Sequence, residues 1–326
     1  MRFAQKWTPC TVHAIRDLTP AIREFVLRPE GSGVENHAIG SHINVGVLID
    51  GRPETRSYSL VGDVRPDGYR IAVRRAPDSR GGSRYMWSLQ PGARIEVSSP
   101  ASLLEIDWSR QSYCLIAGGI GITPIVGIAH AMMRRGADVT LHYAVRSRRD
   151  AAFLEELAVL LGERLIVHAG DEGGRIELDQ TFARLPPDAL SIICGPMRLL
   201  EAARHGWAKA GRLPTDLRYE TFGSSGLLPT TAFRVRIDHS GREIVVGENK
   251  SMLDALNEAG FEVMSDCQRG ECGVCAIDVV AVDGKIDHRD VFFSDHQKSA
   301  NGKICPCVSR AVGAITVNTL YRSEAR

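Results

Sequence analysis

Cys267-Gln268-Arg269-Gly270-Glu271-Cys272-Gly273-Val274-Cys275 spaces three thiols as C-x4-C-x2-C, and a fourth cysteine follows some thirty residues later, at 305 or 307. This is the plant-type spacing for holding a [2Fe–2S] cluster. Two irons bridged by sulfides take four thiolates, and one loop wrapped round the cluster has to supply three of them. Gly270 and Gly273 let the backbone come close and turn its amides toward the sulfurs, where they offset the charge of the reduced cluster. The competing use of such cysteines is zinc. Zinc ribbons are built from paired C-x2-C knuckles, and only one such pair stands here. Spacing does not choose between Cys305 and Cys307.

Outward from this loop, the cysteine distribution supports a metal. Of the cysteines at 10, 114, 194, 267, 272, 275, 305 and 307, five fall in the last 60 residues of a 326-residue chain. A disulfide framework would be spread more evenly and would suit a short secreted chain. Cys10 and Cys114 read as ordinary core. Forty Lys and Arg nearly cancel 39 Asp and Glu, so neither nucleic acid nor an anionic membrane is expected as partner. The N-terminus lacks the pattern of a secretory signal, and no apolar run reaches about 18 residues, so the expected compartment is the cytoplasm. The length suggests two or three domains.

Three patterns follow one another along the chain. Up to about Ser98, short β-rich segments alternate with Gly and Pro: Thr11–Ile15, Glu24–Leu27, Asn44–Ile49, Tyr58–Val61, Tyr69–Val73 and Arg94–Val97, with a short helix near Ser83–Leu89. Even spacing of this kind predicts a small antiparallel barrel. From Ser112 an apolar strand, Tyr113–Ala117, leads into glycines and a helix to about Arg134. Strand Val139–Ala144, helix Ala151–Leu161, strand Leu165–Val167, strand Ile192–Cys194 and helix Met197–Lys209 continue the alternation of a doubly wound parallel sheet. The small residues Gly223–Gly226 read as a flexible linker. Beyond them Phe233–Asp238 and Glu243–Val246 pair as strands, and Ser251 caps a helix to Ala259 with Asp254 in its first turn.

Two further motifs suit cofactors. In Arg56-Ser57-Tyr58-Ser59, Tyr58 offers a flat ring for stacking and Arg56 a cation for a phosphate. Four such residues are common, and an exposed Arg beside a half-buried strand Tyr is an equal reading. Gly118-Gly119-Ile120-Gly121-Ile122-Thr123-Pro124 follows a buried strand and opens a helix, which suits a pyrophosphate, with Thr123 as N-cap and Pro124 as first helical residue. It is not the G-x-G-x-x-G fingerprint, and no acidic residue for a ribose stands at the usual place. Arg146, at the end of the next strand, with Arg148 and Arg149, could hold a 2′-phosphate or be a solvated charge run. Cys194-Gly195-Pro196-Met197 ends a later strand, and Cys194 reads equally as small core residue or as ligand contact.

The loop Cys267–Cys275, with Asp287-His288-Arg289-Asp290 and Cys307-Val308-Ser309-Arg310-Ala311, resembles the ferredoxin domain of the phthalate dioxygenase reductase family. That resemblance implies Cys307 as fourth ligand, beside Cys267, Cys272 and Cys275, with Cys305 a bystander. It extends over about residues 8 to 320. The family carries an Arg-x-Tyr-Ser element like Arg56–Ser59, and a small-residue turn like Arg80-Gly81-Gly82-Ser83 that would take a terminal phosphate, which favours FMN over FAD. Ala72-Val73-Arg74 resembles the strand that meets the flavin's other edge, and Phe222 the family's ring near the flavin, although Thr221 stands where Ser is usual. Gly118–Pro124 is similar to the family's Gly-Gly-x-Gly-x-x-Pro, and the turn at Cys194 to the one bordering the nicotinamide.

The implied architecture is multidomain: an antiparallel β-barrel flavin domain (1–108), a doubly wound α/β nucleotide domain (109–225) and an α+β, β-grasp ferredoxin domain (226–326). The implied activity is hydride transfer from NADH to FMN, then single electrons through the [2Fe–2S] cluster to a Rieske-type terminal oxygenase. Two rivals remain from the residues: a flavin oxidase or free-flavin reductase with a structural cluster, and a non-enzymatic redox-sensing module.

Overall fold

The structure is a computed structural model that describes residues 6–31, 33–49, 51–76, 81–102, 104–222, 226–228, 230–248 and 250–319. The chain divides into two compact units, 1–195 with 199–220, and 196–198 with 221–326.

In the first unit, β1 (Trp7–Thr19), β2 (Ile22–Pro29), β3 (His42–Ile49), β4 (Arg52–Ser59), β5 (Tyr69–Arg74) and β6 (Arg94–Ser98), with helix α1 (Gly82–Ser88) before β6, make an antiparallel sheet ordered β4-β3-β6-β1-β2-β5. Just past β4, Leu60 bridges Ile71 of β5, so the two outer strands meet and the sheet closes as a barrel. Val12, Phe25, Ile43, Val45, Ile71 and Val97 fill it. β4 begins well before the expected Tyr58 because Pro53 sits opposite Leu48 at the open end of an outer strand, where its missing N–H costs no ladder bond.

The same unit holds β7 (Ser112–Gly118), α2 (Ile122–Arg134), β8 (Asp138–Val145), α3 (Leu154–Leu161), β9 (Leu165–Ala169), α4 (Leu178–Arg184), β10 (Leu190–Cys194), α5 (Met197–Lys209, except its first two residues, which fall in the second unit) and β11 (Leu217–Glu220). The five strands are parallel, ordered β11-β10-β7-β8-β9. Every residue of β7 is buried, as a central parallel strand requires. The order reverses between β7 and β10, and a ligand crevice opens at the carboxyl ends of such a pair.

Two helix starts differ from expectation. Helix α2 begins at Ile122, two residues early, with Gly121 as its cap, and the Thr123 hydroxyl donates instead to the Ile120 carbonyl at 3.0 Å. Helix α3 begins at Leu154 rather than Ala151, because Phe153 takes a left-handed backbone (φ 59°) that no helix can include. Barrel and parallel sheet are packed together. Gly127 of α2 has no room for a Cβ, which would stand 2.7 Å from the Gly62 carbonyl. Arg134 forks onto Asp63 at 2.6 and 2.8 Å, and Arg70 joins Glu24 (2.8 Å) to Glu156 (3.3 Å).

On β8 and β9, His142 Nδ1 and His168 Nε2 lie 3.0 Å apart with their rings stacked. Burial, then the neighbouring imidazole, pushes His142 down to about 4 from 6.5, and burial lowers His168 too. The unfolded chain therefore takes up protons that the fold refuses. Stability present above about pH 6.5 is lost as pH falls toward 4. Calorimetry across that window should show Tm falling, and His142→Gln should flatten the fall. An equally steep fall in the variant would contradict this account.

The second unit contains β12 (Phe233–Ile237), β13 (Glu243–Val246), α6 (Met252–Glu258), β14 (Ile277–Asp287), α7 (Asp295–Ala300), β15 (Lys303–Ile304) and β16 (Arg310–Asn318). The sheet runs β13-β12-β16-β14-β15, with β12 and β16 parallel and the other pairs antiparallel. Helix α6 packs on this sheet through Met252, Ala255 and Leu256, the α+β arrangement expected. Ser251 Oγ accepts the Asp254 amide at 3.0 Å, as its capping role requires. Of the expected linker, residues 223–225 lie outside the described residues, and Gly226 is held tightly.

Candidate cofactor sites

The cysteine loop follows α6 and precedes β14, and its backbone is bent round its own thiols. Cys267 Sγ accepts the amides of Arg269 and Cys272, each at 3.4 Å. Cys275 Sγ and Cys307 Sγ lie 3.3 Å apart, and the Gly270 amide reaches Cys307. Gly270 (φ 77°) and Gly273 (φ 69°) take the left-handed conformation. A Cβ on Gly270 would stand 2.5 Å from the Val308 side chain, and one on Gly273 within 2.4 Å of the Phe292 ring. Both glycines are thus required twice, by conformation and by space. Cys305 is fully buried beside Cys275 and supplies the carbonyl that closes the turn to Ser309 (3.0 Å). Cys267 with its two amide donors and the Cys275–Cys307 pair are a donor set that would suit an iron–sulfur cluster.

Polar groups that the sequence reading quoted without assigning them a role brace this loop. Asp290, fully buried, accepts from the Ser309 hydroxyl (2.9 Å) and the Phe293 amide (3.0 Å), and the Val291 amide donates to the Gly270 carbonyl (2.9 Å). Glu271 accepts from Arg269 Nη2 (2.9 Å) and from the Thr221 amide (3.4 Å). The available signal was the charged run Asp287–Asp290 between a strand and an aromatic pair. Charges in such a place survive burial only with partners inside the fold.

In the barrel, β4 carries Arg56, Ser57, Tyr58 and Ser59 opposite Val45, Asn44, Ile43 and His42. Ser57 Oγ donates to Asn44 Oδ1 at 2.5 Å, and Tyr58 is half-buried against the barrel core. Among the described residues Ser59 Oγ, which is buried, has no hydrogen-bond partner, which leaves a donor for a ligand atom. Arg56 pairs with Glu54 (2.7 Å) and its stem lies so close to Gly82 that a Cβ there would stand 2.7 Å from it. The structure therefore joins Arg56 to the Gly81-Gly82-Ser83 turn, and Ser83 Oγ accepts the Ala76 amide at 3.3 Å. Arg80 lies outside the described residues. On β5, Ala72 and Val73 are buried and Arg74 is exposed. These residues fit a flavin phosphate and ring.

At the crevice, Gly121 and Gly195 bring two strand ends into contact. A Cβ on Gly121 would stand 2.1 Å from the Cys194 carbonyl oxygen, and one on Gly195 would be 3.1 Å from Gly118. The Gly119–Gly121 turn lies against β5, which sets the glycine turn beside the strand that carries Ala72–Arg74. Thr123 and Pro124 are buried in α2, and Pro196 is exposed. Cys194 is buried, and the thiols of Cys10 and Cys114, pushed up to about 12 by burial, are inert core as expected. Arg148 pairs with Glu172 at 2.9 Å, and Arg146 is exposed at the end of β8. Phe222 is half-buried and belongs to the second unit.

The comparisons agree with these sites. Residues 235–312 match the 2Fe-2S iron-sulfur cluster binding domain and residues 115–205 the oxidoreductase NAD-binding domain. The two together define a pyridine-nucleotide-linked iron–sulfur oxidoreductase. The chain is 36% identical over 310 residues to the heme-dependent oxidative N-demethylase beta subunit of Ectopseudomonas mendocina (strain ymp), covering 93% of this chain and 96% of that one. It superposes on the structure of phthalate dioxygenase reductase, described as modular for electron transfer from pyridine nucleotides to [2Fe-2S], with a TM-score of 0.75 at 29% identity, covering 96% and 98% of the two chains. It also matches an intact type IV self-sufficient cytochrome P450 monooxygenase (34% identity, TM-score 0.67), covering 95% of this chain but spanning only 41% of that longer one. The chain belongs to the phthalate dioxygenase reductase family of oxygenase reductase subunits. Among the described residues no helix is long and apolar enough to cross a membrane.

Proposed function

We propose that this chain is the NADH-dependent, FMN- and [2Fe–2S]-containing reductase of a two-component oxygenase, with a Rieske-type terminal component as its acceptor. The observation that carries the reading is the shared border of β5 and the Gly119–Gly121 turn, because a flavin edge and a nicotinamide must touch for hydride transfer. When bound, the flavin accepts a hydride's two electrons together and the cluster passes them on singly, a conversion that side chains do not supply. Residues 1–108, 109–225 and 226–326 are the modules that carry the three sites.

The residues divide the work by position. Gly118, Gly119, Gly121 and the start of α2 offer amides to a pyrophosphate, and Arg146, Cys194, Gly195 and Pro196 line the rest of the crevice. Arg148 is engaged by Glu172 rather than offered to a 2′-phosphate, which supports NADH. Tyr58 gives the flavin ring a flat wall, Ser59 a donor, and Arg56 with Gly81–Ser83 its phosphate site. Ala72, Val73 and Arg74 complete the flavin surroundings within the first unit. Cys267, Cys272, Cys275 and Cys307 hold the irons. No acid–base side chain is needed, since orientation of two rings carries the hydride step.

Arg56→Ala should weaken FMN binding at least about tenfold, as loss of a charge-assisted bond of about 1.5–3 kcal/mol implies. Flavin retained per chain after desalting measures it, and full retention would remove Arg56 from the site. The reading as a whole is tested by the visible spectrum with iron, sulfide and flavin analysis, and by electron delivery to purified oxygenases. Zinc, or one cofactor instead of two, would overturn it. The likeness to phthalate dioxygenase reductase supports the Rieske type. Delivery to a haem oxygenase alone would replace it with the haem type.

A further inference from the structure

The outer face of β5 carries a guanidinium that spans two carboxylates. Side chains alternate across a strand, so Arg70, Ala72 and Arg74 share one face while Tyr69, Ile71 and Val73 fill the barrel. On β2, Glu24 stands opposite Ala72 and Val26 opposite Arg70, which sets Glu24 diagonally beside Arg70 on that same face. Glu24 Oε1 accepts Arg70 Nε at 2.9 Å and Nη2 at 2.8 Å, and Arg16 Nε holds Glu24 Oε2 at 3.1 Å. Arg70 Nη2 also reaches Glu156 Oε2, in the first turn of α3, at 3.3 Å. Glu156 Oε1 in turn meets His130 Nε2 of α2 at 3.1 Å. The line Glu24–Arg70–Glu156–His130 therefore runs from the barrel wall to the helix that the glycine turn opens.

The Arg70 and Glu24 side chains are 11% and 8% exposed, and a planar fork between carboxylates shielded from water holds both distance and angle. Two other contacts join the same halves and act differently. Gly127 against Gly62 is a steric stop, which prevents closer approach but does not resist separation. Arg134 with Asp63, 54% and 43% exposed, is an ion pair of the kind that contributes little.

We propose that Arg70 is a positioning residue for the hydride step: by bridging Glu24 and Glu156 it fixes how far the outer face of β5 stands from α2 and α3, and with that the spacing of flavin and nicotinamide. This deepens the function proposed above and rests on it. Ala72, one step further along the same face and about 7 Å away, is 4% exposed, and β5 lies against the Gly119–Gly121 turn. A displacement at Arg70 is thus felt where hydride donor and acceptor must meet. A misplacement of about 1 Å costs about 100-fold in a step that works by orientation. Arg70 Nε and Nη2 are engaged by carboxylates, so the residue acts through the strand and the helices.

Alanine at Arg70 would leave Glu24 buried without its partner and endanger the fold. The test uses Arg70→Lys, which keeps the charge but offers no fixed fork of two nitrogens. Glu156→Gln is the second variant, because it leaves the barrel's own ion pair whole, and Asp63→Asn, in the exposed pair, is the control. Holoprotein of the full chain is mixed with increasing NADH in a stopped-flow instrument, which separates the limiting rate of flavin bleaching from NADH affinity. The long-wavelength absorbance of nicotinamide stacked on flavin is recorded, and amide exchange of residues 69–74 and 154–161 is measured by mass spectrometry.

For Arg70→Lys the expected results are a limiting bleaching rate lowered at least about tenfold, NADH affinity within about twofold, a weaker stacking absorbance and faster exchange in both segments. Glu156→Gln should move each readout in the same direction by less, and Asp63→Asn should move none of them. Limiting rates unchanged in both Arg70→Lys and Glu156→Gln would overturn the positioning role, as would a defect that saturating NADH removes. Equal slowing by Asp63→Asn would overturn the particular part given to Arg70. Unchanged exchange would show that Arg70 does not hold the two segments. Failure of NADH to bleach flavin in the unmodified protein would instead sink the proposed function.

Discussion

Alanine in place of Cys307 is expected to abolish cytochrome c reduction while NADH still bleaches the flavin, and alanine in place of Cys305 is expected to leave both intact. The physical ground is the position of the two thiols. Both thiols meet Cys275, but only Cys307 also takes the Gly270 amide and lies near Cys267, which ties it to the ligand loop. Cys305 is fully buried in the turn that delivers Cys307, where a small apolar residue serves equally well. Even a partner that only supports a metal ligand is worth 10- to 100-fold in affinity, so a lost ligand should cost about 100-fold or more in cluster content. Iron per chain and the visible spectrum of the two variants measure it. Equal iron loss in both, or loss only with Cys305→Ala, would reassign the fourth ligand. Cys272→Ala should behave as Cys307→Ala does, and if cytochrome c reduction survives it the path through the cluster is wrong.

The second large effect concerns Gly121. Gly121→Ala would set a methyl carbon 2.1 Å from the Cys194 carbonyl oxygen, a contact between two backbones with no side chain free to yield. The turn and the end of β10 must separate, and crowding of this kind costs about 1–3 kcal/mol or more. A shift near 1 Å in a site that works by orientation costs roughly 100-fold in rate. The expected outcome is a fall of about that size in kcat/KM for NADH, with flavin content and cluster spectrum preserved. Undiminished flavin reduction by NADH would place the nicotinamide elsewhere.

Much of this organisation was legible in the residues because its causes are local. The C-x4-C-x2-C loop, the glycine turn after a seven-residue apolar strand and the Ser251 cap each act within one turn of chain, and each stands where its pattern puts it. Boundaries moved where neighbours decided them. Thr123 lost the capping role to Gly121, and Phe153 entered a left-handed conformation, a choice packing makes and propensity does not. β4 ran further than its composition suggested because β3 continued to offer it bonds.

Sequence by itself determined the chemistry: thiol spacing, glycine placement and strand–helix alternation depend on residues near one another along the chain. Tertiary structure alone decided what lies beside what. It set Arg56 against Gly82, the Ala72–Arg74 strand beside the glycine turn, and Asp287 with Arg289 under Gly226, residues tens of positions apart. The stretch Gly223–Gly226 shows the difference. Its composition predicts a flexible linker, yet the residues just after it are held by a pair of charges that only the folded sheet brings to them, since a carboxylate out of water seeks every available N–H.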